Sequence, residues 1–166
     1  MGNANKPETT THHPSPITHH AKTGTVFAFD FGTRRIGIAV GDFETRLAHP
    51  LTTLTAADHR ARFAEIERLI AEWRPVLLVV GVPARADGSE HPVGRLARRF
   101  AQRLNGRFGL SVELVDEHLT SNDAEQSLRS AGARGARLKA GLDAVAAQRI
   151  LVGYFAGISS RPLQND

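Results

Sequence analysis

The sequence contains no cysteine among its 166 residues. Disulfide bonds, zinc–thiolate sites and thiol nucleophiles are therefore excluded. Proteins of reducing compartments have no need of disulfides, so the missing cysteine is consistent with a cytoplasmic location, which we expect for this chain.

Long hydrophobic segments are also missing. No apolar stretch approaches the roughly 20 residues that a membrane-spanning helix requires. The first residues are polar and include proline, unlike the continuous apolar segment of a signal peptide. We therefore expect neither a membrane anchor nor a secretory leader.

The chain has no large excess of charge of either sign. Its 21 basic and 17 acidic residues leave a formal charge of +4. This excess permits nucleic-acid binding without requiring it. Most of the basic residues are arginine, which recognises phosphate in a bidentate manner better than lysine does.

The length suits one domain with its own hydrophobic core. Residues 1–23 are rich in Thr, His, Pro and Asn without a hydrophobic period, which predicts a disordered tail. The pairs at 12–13 and 19–20 are histidines that could bind a transition metal. A flexible polar extension is the better interpretation, since no packed scaffold fixes these ligands. We expect the folded domain at 24–158 and a second tail at 159–166.

Residues 25–42 predict a hairpin with an acidic residue on its first strand. Val26 to Phe31 is too short and apolar for a typical helix and indicates a strand buried on both faces. A turn at 32–35 leads to a second strand at 36–40, where larger and smaller residues alternate. Asp30 interrupts the first strand. Burying a carboxylate costs free energy unless a hydrogen-bond donor, a cation or a metal ion binds it. Asp30 is therefore our first candidate site residue.

The rest of the chain predicts an α/β domain with a five-stranded mixed sheet, three antiparallel strands being followed by parallel ones and flanked by helices. In chain order, the further elements are a strand at 48–54, a helix at 59–73, a strand at 76–80, a helix at 92–107, a strand at 112–115, a helix from about 120 to 130 and a helix from about 140 to 157.

Two further acids stand where apolar residues would be easier to accommodate. Glu117 follows the last strand, and its neighbour Asp116 should face the opposite side, because adjacent strand residues alternate. Asp143 stands on the apolar stripe of the last helix, which faces the sheet. Together with Asp30 these acids can converge on one centre.

Clustered acids repel one another unless divalent cations neutralise them. Carboxylate oxygens without cysteine favour Mg²⁺ or Mn²⁺, and a pair of such ions supports phosphodiester cleavage. Each acid also has an ordinary explanation: a structural hydrogen bond for Asp30, a solvated turn for Glu117, and a helix-dipole role for Asp143. The combination of all three with this strand order favours the metal site.

Four blocks of sequence form a recognisable pattern: Phe29-Asp30-Phe31-Gly32 with Arg35 to Val40, Val80 to Pro83 with Asp87-Gly88-Ser89, Val115 to Ser121, and Lys139 to Leu151. Together they resemble the YqgF/RuvX family, the Holliday-junction-resolvase-like nucleases associated with precursor 16S rRNA in bacteria. The resemblance covers about Thr25 to Tyr154.

This resemblance implies an RNase H-like fold in which Asp30, Glu117 and Asp143 are the catalytic residues and metal ligands. It also implies a hydrolase that matures the 5′ end of 16S rRNA. The family usually has arginine after the glutamate, whereas this sequence has His118. A phosphate contact at that position would then require a protonated imidazole.

Basic residues near these acids are candidates for contacting a nucleic-acid backbone. The turn after Asp30 offers Thr33, Arg34 and Arg35, although a hairpin turn with solvated arginines explains them equally well. A predicted glycine loop at 132–137 and the residues beside it offer Arg129, Arg134, Arg137 and Lys139. A further stripe, Arg95, Arg98, Arg99 and Arg103, is typical of the solvated face of a helix.

Three functions remain open from the sequence. The first is a metal-dependent nuclease acting on precursor 16S rRNA or on branched DNA, alone or with the ribosome, as a monomer or homodimer. The second is an actin-like or sugar-kinase-like ATPase, which the Asp-Phe-Gly-Thr motif also resembles. Those ATPases need two related subdomains, and this chain has room for one. The third is a non-catalytic RNA-binding module associated with ribosomes or transcription.

Overall fold

The computed structural model describes residues 23–55, 58–85, 87–117 and 135–160. Residues 1–22 and 161–166, nearly all of the two expected tails, lie outside the described residues, as do the expected helix at 120–130 and His118.

Five strands and three helices make up the described part of the chain. They are β1 Thr25–Phe31, β2 Ile36–Asp42, β3 Ala48–Leu54, α1 His59–Trp73, β4 Leu77–Pro83, α2 Pro92–Phe108, β5 Val112–Glu117 and α3 Gly135–Ser160. None of these helices has the length and apolar character needed to cross a membrane.

The strands form one sheet in the order β3-β2-β1-β4-β5, which puts β1 at the centre. β1 pairs antiparallel with β2, and β2 pairs antiparallel with β3. β1, β4 and β5 run parallel. The expected five-stranded mixed sheet is confirmed.

Several element boundaries differ from the expectation. β4 and β5 continue to Pro83 and Glu117, because the two strands stay paired to those residues. The last helix begins at Gly135 instead of about 140, so the predicted glycine loop at 132–137 is wrong from Gly135 onward. Arg137 and Lys139 accordingly belong to a helix.

The sheet is covered on both faces, and each face has its own apolar core. On one face, α1 and α2 pack Phe63, Ile66, Phe100 and Leu104 against Phe29 and its neighbours. On the other face, α3 is the helix of the described residues that packs against the sheet, and its buried residues are Ala144, Ala147, Ile150, Leu151, Tyr154 and Phe155. The strand residues that alternate toward α3 include Val26, Ala28 and, two residues further on, Asp30.

Two helices begin at side chains that satisfy terminal backbone groups, and one of them ends at a glycine. The Asp58 side chain accepts a hydrogen bond of 2.7 Å from the amide of Ala61 at the start of α1. His91 Nδ1 accepts one of 3.1 Å from the amide of Val93 at the start of α2. α2 ends at Gly109, whose φ of 65° is easily adopted only without a side chain.

Candidate active site

Asp30 lies on the central strand between two glycines. In the strand register it is opposite Gly37 of β2 on one side and Gly81 of β4 on the other. A Cβ atom at Gly37 would overlap the backbone carbonyl of Asp143, and one at Gly81 would overlap the side chain of Ile150. The two glycines therefore let α3 come close to the sheet beside the Asp30 carboxylate.

Glu117 reaches the same region from the end of β5. Its Oε2 atom is 3.1 Å from the position that a Cβ on Gly81 would occupy. Asp116, one residue earlier, lines a cavity that Val82 and Gly94 also line, on the α2 side of the sheet. The expectation that the two acids face opposite ways is confirmed, and only Glu117 faces Asp30.

Asp143 approaches from α3, which packs over the same face. Its Oδ2 accepts a hydrogen bond of 2.6 Å from Nε of Arg35, in an ion pair whose side chains are 37% and 22% exposed for Arg35 and Asp143. The Thr53 hydroxyl donates to the backbone carbonyl of Ala140 and so ties α3 to β3. Because α3 begins at Gly135, Asp143 is more than two turns inside the helix. The alternative that Asp143 serves a helix N-terminus is therefore wrong.

Electrostatics connects the three carboxylates, which we call the acid centre (Asp30, Glu117 and Asp143). Burial and, to a smaller extent, the negative charge of Asp143 raise the pKa of Asp30 to about 6. Burial and, to a smaller extent, the negative charge of Asp30 likewise raise the pKa of Glu117 to about 7. Asp30 is thus the member that the other two share. The acid centre carries negative charge that the surrounding protein only partly neutralises.

The described residues do not form a complete set of metal ligands. Within them, no three acidic, histidine or cysteine side chains are grouped closely enough to hold a metal ion together. Asp143 is engaged by Arg35. The acid centre consists of two interacting pairs, Asp30 with Glu117 and Asp30 with Asp143.

A buried arginine supports the turn that follows Asp30. Arg62 of α1 is 6% exposed, and its Nη2 donates a hydrogen bond of 2.6 Å to the carbonyl of Thr33. This bond holds the backbone of the turn that carries Arg34 and Arg35. Sequence analysis did not identify Arg62. Its position four residues before Ile66, on the buried stripe of α1, is the signal that could have revealed it.

Residues 24–157 match the family model described as "RuvX: Holliday junction resolvase". The chain belongs to the RuvX family.

Curated relatives of this RuvX-family chain have closely similar sequences. A protein of Nitrosomonas europaea is 53% identical over 140 residues, covering 84% of this chain and 95% of the relative. A protein of Chromobacterium violaceum is 57% identical over 129 residues, covering 77% of this chain and 94% of the relative. Both are named "Putative pre-16S rRNA nuclease".

Solved structures share the fold of the RuvX-family chain at low sequence identity. Thermus thermophilus RuvC is 15% identical, with a TM-score of 0.50 over 81% of this chain and 96% of that one. The same protein in complex with a Holliday junction substrate is 17% identical, with a TM-score of 0.51 over 82% and 97%. The expected RNase H-like fold and the expected family are confirmed. The expectation of a nuclease, a hydrolase acting on ester bonds, is confirmed through the family match and the curated relatives.

The predicted nucleic-acid-binding residues of the RuvX-family chain differ in their exposure, in their contacts and in whether the structure describes them. Arg34 is exposed in the turn, and Arg35 is directed to Asp143. Lys139 is exposed on the first turns of α3. Arg134 lies outside the described residues, and of Arg137 only the backbone is described. Arg35 thus contacts the acid centre directly, and Lys139 lies on α3, the helix that carries Asp143.

Proposed function

We propose that the chain is a divalent-metal-dependent nuclease that trims the 5′ end of precursor 16S rRNA, with Asp30, Glu117 and Asp143 as its catalytic residues. The observation that carries this proposal is the position of Asp30, a buried carboxylate between two glycines with two further acids against it. A structural aspartate would be expected to have a donor or cation as its partner. Among the described residues, the charged groups that act on Asp30 are instead the like charges of Asp143 and Glu117.

The donor set of the acid centre fits a hard divalent cation. It consists of carboxylate oxygens, the ligands that Mg²⁺ and Mn²⁺ prefer, and the chain has no cysteine. The raised pKa values of Asp30 and Glu117 indicate unneutralised charge, which a bound cation would relieve. Asp30 and Glu117 would hold the ion, with Asp143 as the third ligand. Bound Mg²⁺ or Mn²⁺ supplies activation of water and stabilisation of the leaving oxygen in phosphodiester hydrolysis.

The residues of the turn supply the other half of the proposed site. Arg35 neutralises Asp143 in the described structure, so a ligand that engages Asp143 competes with the guanidinium group. A substrate phosphate offers Arg35 an alternative anionic partner, which a guanidinium group can bind in bidentate geometry. We therefore assign Thr33, Arg34 and Arg35 to the phosphate near the cut, and Arg134, Arg137 and Lys139 to the backbone further along.

The names of the relatives support precursor 16S rRNA as the substrate. Ribosomal RNA is made and processed in the bacterial cytoplasm, so the expected cytoplasmic location and contact with the ribosome are part of this proposal. Branched DNA is a second candidate substrate, because the family description names a Holliday junction resolvase. The domain limits 24–158, with tails on both sides, are proposed on the sequence pattern alone.

The decisive experiment compares cleavage of precursor 16S rRNA and of a Holliday junction by wild type and Asp30→Asn. Each substrate is incubated with Mg²⁺, with Mn²⁺ and with EDTA. Asp58→Asn is the matched control, because asparagine caps α1 as well as aspartate does and removes the same charge. We expect metal-dependent RNA cleavage by wild type and by the control, and none by Asp30→Asn. Equal cleavage by Asp30→Asn would contradict the assignment, and cleavage of the junction alone would change the substrate to DNA.

A further inference from the structure

The outward face of α2 is strongly basic. The helix carries five arginines, Arg95, Arg98, Arg99, Arg103 and Arg107, and no acidic residue. α1 contrasts with it, since Glu65, Glu67 and Glu72 lie among its arginines. The arginines of α2 are all exposed.

Three of these arginines have no interaction partner among the described residues. Arg95 pairs with Glu90 at 3.4 Å, and the Arg107 guanidinium lies 5.4 Å from the centre of the Phe63 ring. For Arg98, Arg99 and Arg103, no hydrogen bond or ion pair is found within the described ranges. We call these three residues the α2 arginine row. Cations held without a counter-charge are available to an external anion.

The α2 arginine row is connected to the acid centre around the ends of two strands. An open cavity of about 400 Å³ lies where β4 and β5 end, and both Arg85 and Arg98 line it. Asp116 borders this cavity, whereas Glu117, the next residue, faces the acid centre on the other side of the sheet. The cavity with Arg85 and Arg98 and the acid centre therefore lie on opposite faces of the sheet at the same end of β4 and β5.

We infer that the α2 arginine row, with Arg85, is a second binding surface for the sugar–phosphate backbone of a nucleic acid, on the face of the sheet opposite the acid centre. This inference rests on the proposed nuclease function. It adds that the substrate extends well beyond the cut and passes over the ends of β4 and β5. From Arg95 to Arg107 the helix offers a basic face about 18 Å long, at 1.5 Å per residue.

The composition of α2 favours a nucleic acid over an anionic membrane. A helix that lies on a bilayer exposes Trp, Phe and Leu beside its basic residues. In α2 the apolar residues Ala97, Phe100, Ala101 and Leu104 face the core instead, and among the larger ones only Leu96 is notably exposed, at 37%. The exposed neighbours of the row include Gln102, a side chain that can donate to phosphate or sugar oxygens.

The test measures RNA binding without cleavage, so that its outcome is independent of catalysis. Fluorescence anisotropy in EDTA records the dissociation constant of a labelled precursor 16S rRNA fragment, and of an unrelated RNA of equal length, at several salt concentrations. The variant is the full chain with Arg98→Gln, Arg99→Gln and Arg103→Gln. The matched control is Arg60→Gln, Arg68→Gln and Arg74→Gln, which removes the same charge from exposed positions of α1 and its cap.

We expect the α2 variant to bind both RNAs about tenfold or more weakly near 0.1 M salt. The salt slope is the slope of the logarithm of the binding constant against the logarithm of the salt concentration. For the α2 variant its magnitude should be lower by about one unit for each arginine that contacts phosphate. The control should retain the wild-type slope within one unit. Equal losses of RNA affinity in variant and control would show that the loss reflects net charge alone, and would overturn the inference. Stronger binding of wild type to anionic phospholipid vesicles than to RNA, lost in the variant, would assign the surface to a membrane instead.

A cleavage arm separates this inference from the proposed function. The α2 variant should show a raised KM on long substrates and an unchanged kcat, because the row is remote from the acid centre. Shortening the substrate on one side of the cut should raise the wild-type KM to that of the variant. If wild type does not cleave RNA but the salt-slope difference persists, the binding surface stands and the nuclease assignment fails. If wild type cleaves and the variant binds and cleaves like it, the surface is refuted and the nuclease stands.

Discussion

Gly37 of β2 lies directly against the backbone carbonyl of Asp143 in α3, and a single added methyl group would overlap that carbonyl. The same glycine is the register partner of Asp30. One position without a side chain therefore determines how closely two of the proposed catalytic acids approach each other.

Replacing Gly37 with alanine should move α3 away from the sheet and reduce both stability and cleavage. The obstacle is backbone, which cannot rotate away as a side chain could, so we expect a loss of about 1–3 kcal/mol in the free energy of unfolding. Gly106→Ala is the control, because nothing lies within 4 Å of its Cβ position and alanine favours a helix. Urea unfolding should show Gly37→Ala destabilised and Gly106→Ala unchanged or more stable. Equal stabilities would mean that α3 does not pack as described.

The free energy of unfolding in EDTA should decrease as the pH rises from about 4 to about 7. The pKa of Asp30 rises from its ordinary 3.8 to about 6 and that of Glu117 from 4.5 to about 7. Between the two values the folded state retains protons that the unfolded state has released. The stabilisation by these protons is therefore complete below the unfolded pKa and is lost as the pH rises through the folded pKa.

Denaturant unfolding of wild type, Asp30→Asn and Asp58→Asn across this pH range checks the prediction. Asp30→Asn should flatten the decrease, both by removing its own titration and by lowering the pKa of Glu117. Asp58→Asn should retain the wild-type slope. Added Mn²⁺ should stabilise wild type more at pH 8 than at pH 5, since it binds the ionised carboxylates. A decrease that is the same in all three proteins would exclude the acid centre as its source.

Glu117→Gln should lower cleavage by about 100-fold or more, because it removes a ligand charge from the acid centre. Glu113→Gln is matched in residue type, strand and strand face, but lies about 13 Å away at 3.3 Å per residue. Single-turnover cleavage of precursor 16S rRNA in Mn²⁺ should separate the two variants clearly. Comparable activities would show that Glu117 is placed near Asp30 for stability alone.

Arg62→Met should weaken both the fold and the geometry of the turn after Asp30. It leaves the Thr33 carbonyl without its buried donor, a loss of about 1–3 kcal/mol in the free energy of unfolding. Arg60→Met is an exposed control on the same helix. At a temperature where both variants are fully folded, Arg62→Met should also raise KM, because Arg35 is displaced from its place beside the acid centre. An unchanged KM would limit Arg62 to a structural role.

The sequence by itself determined the order of the described elements, the mixed sheet and the acidic residues worth testing. Apolar runs of strand length, a 3.6-residue period and turn residues are local signals, and α1 was predicted at its observed bounds, His59–Trp73. The alternation of strand residues was also sufficient to predict that Asp116 and Glu117 face opposite sides of the sheet.

Only the tertiary structure decided what surrounds each of these residues. The glycines at 37 and 81 are required by a helix that begins about 100 and 50 residues later, so no local pattern reveals them. The Arg35–Asp143 ion pair joins residues 108 positions apart, and the Arg62 hydrogen bond joins α1 to the turn before β2. The pKa values of Asp30 and Glu117 depend on burial and on charges from other strands and helices, both of which exist only once the chain has folded.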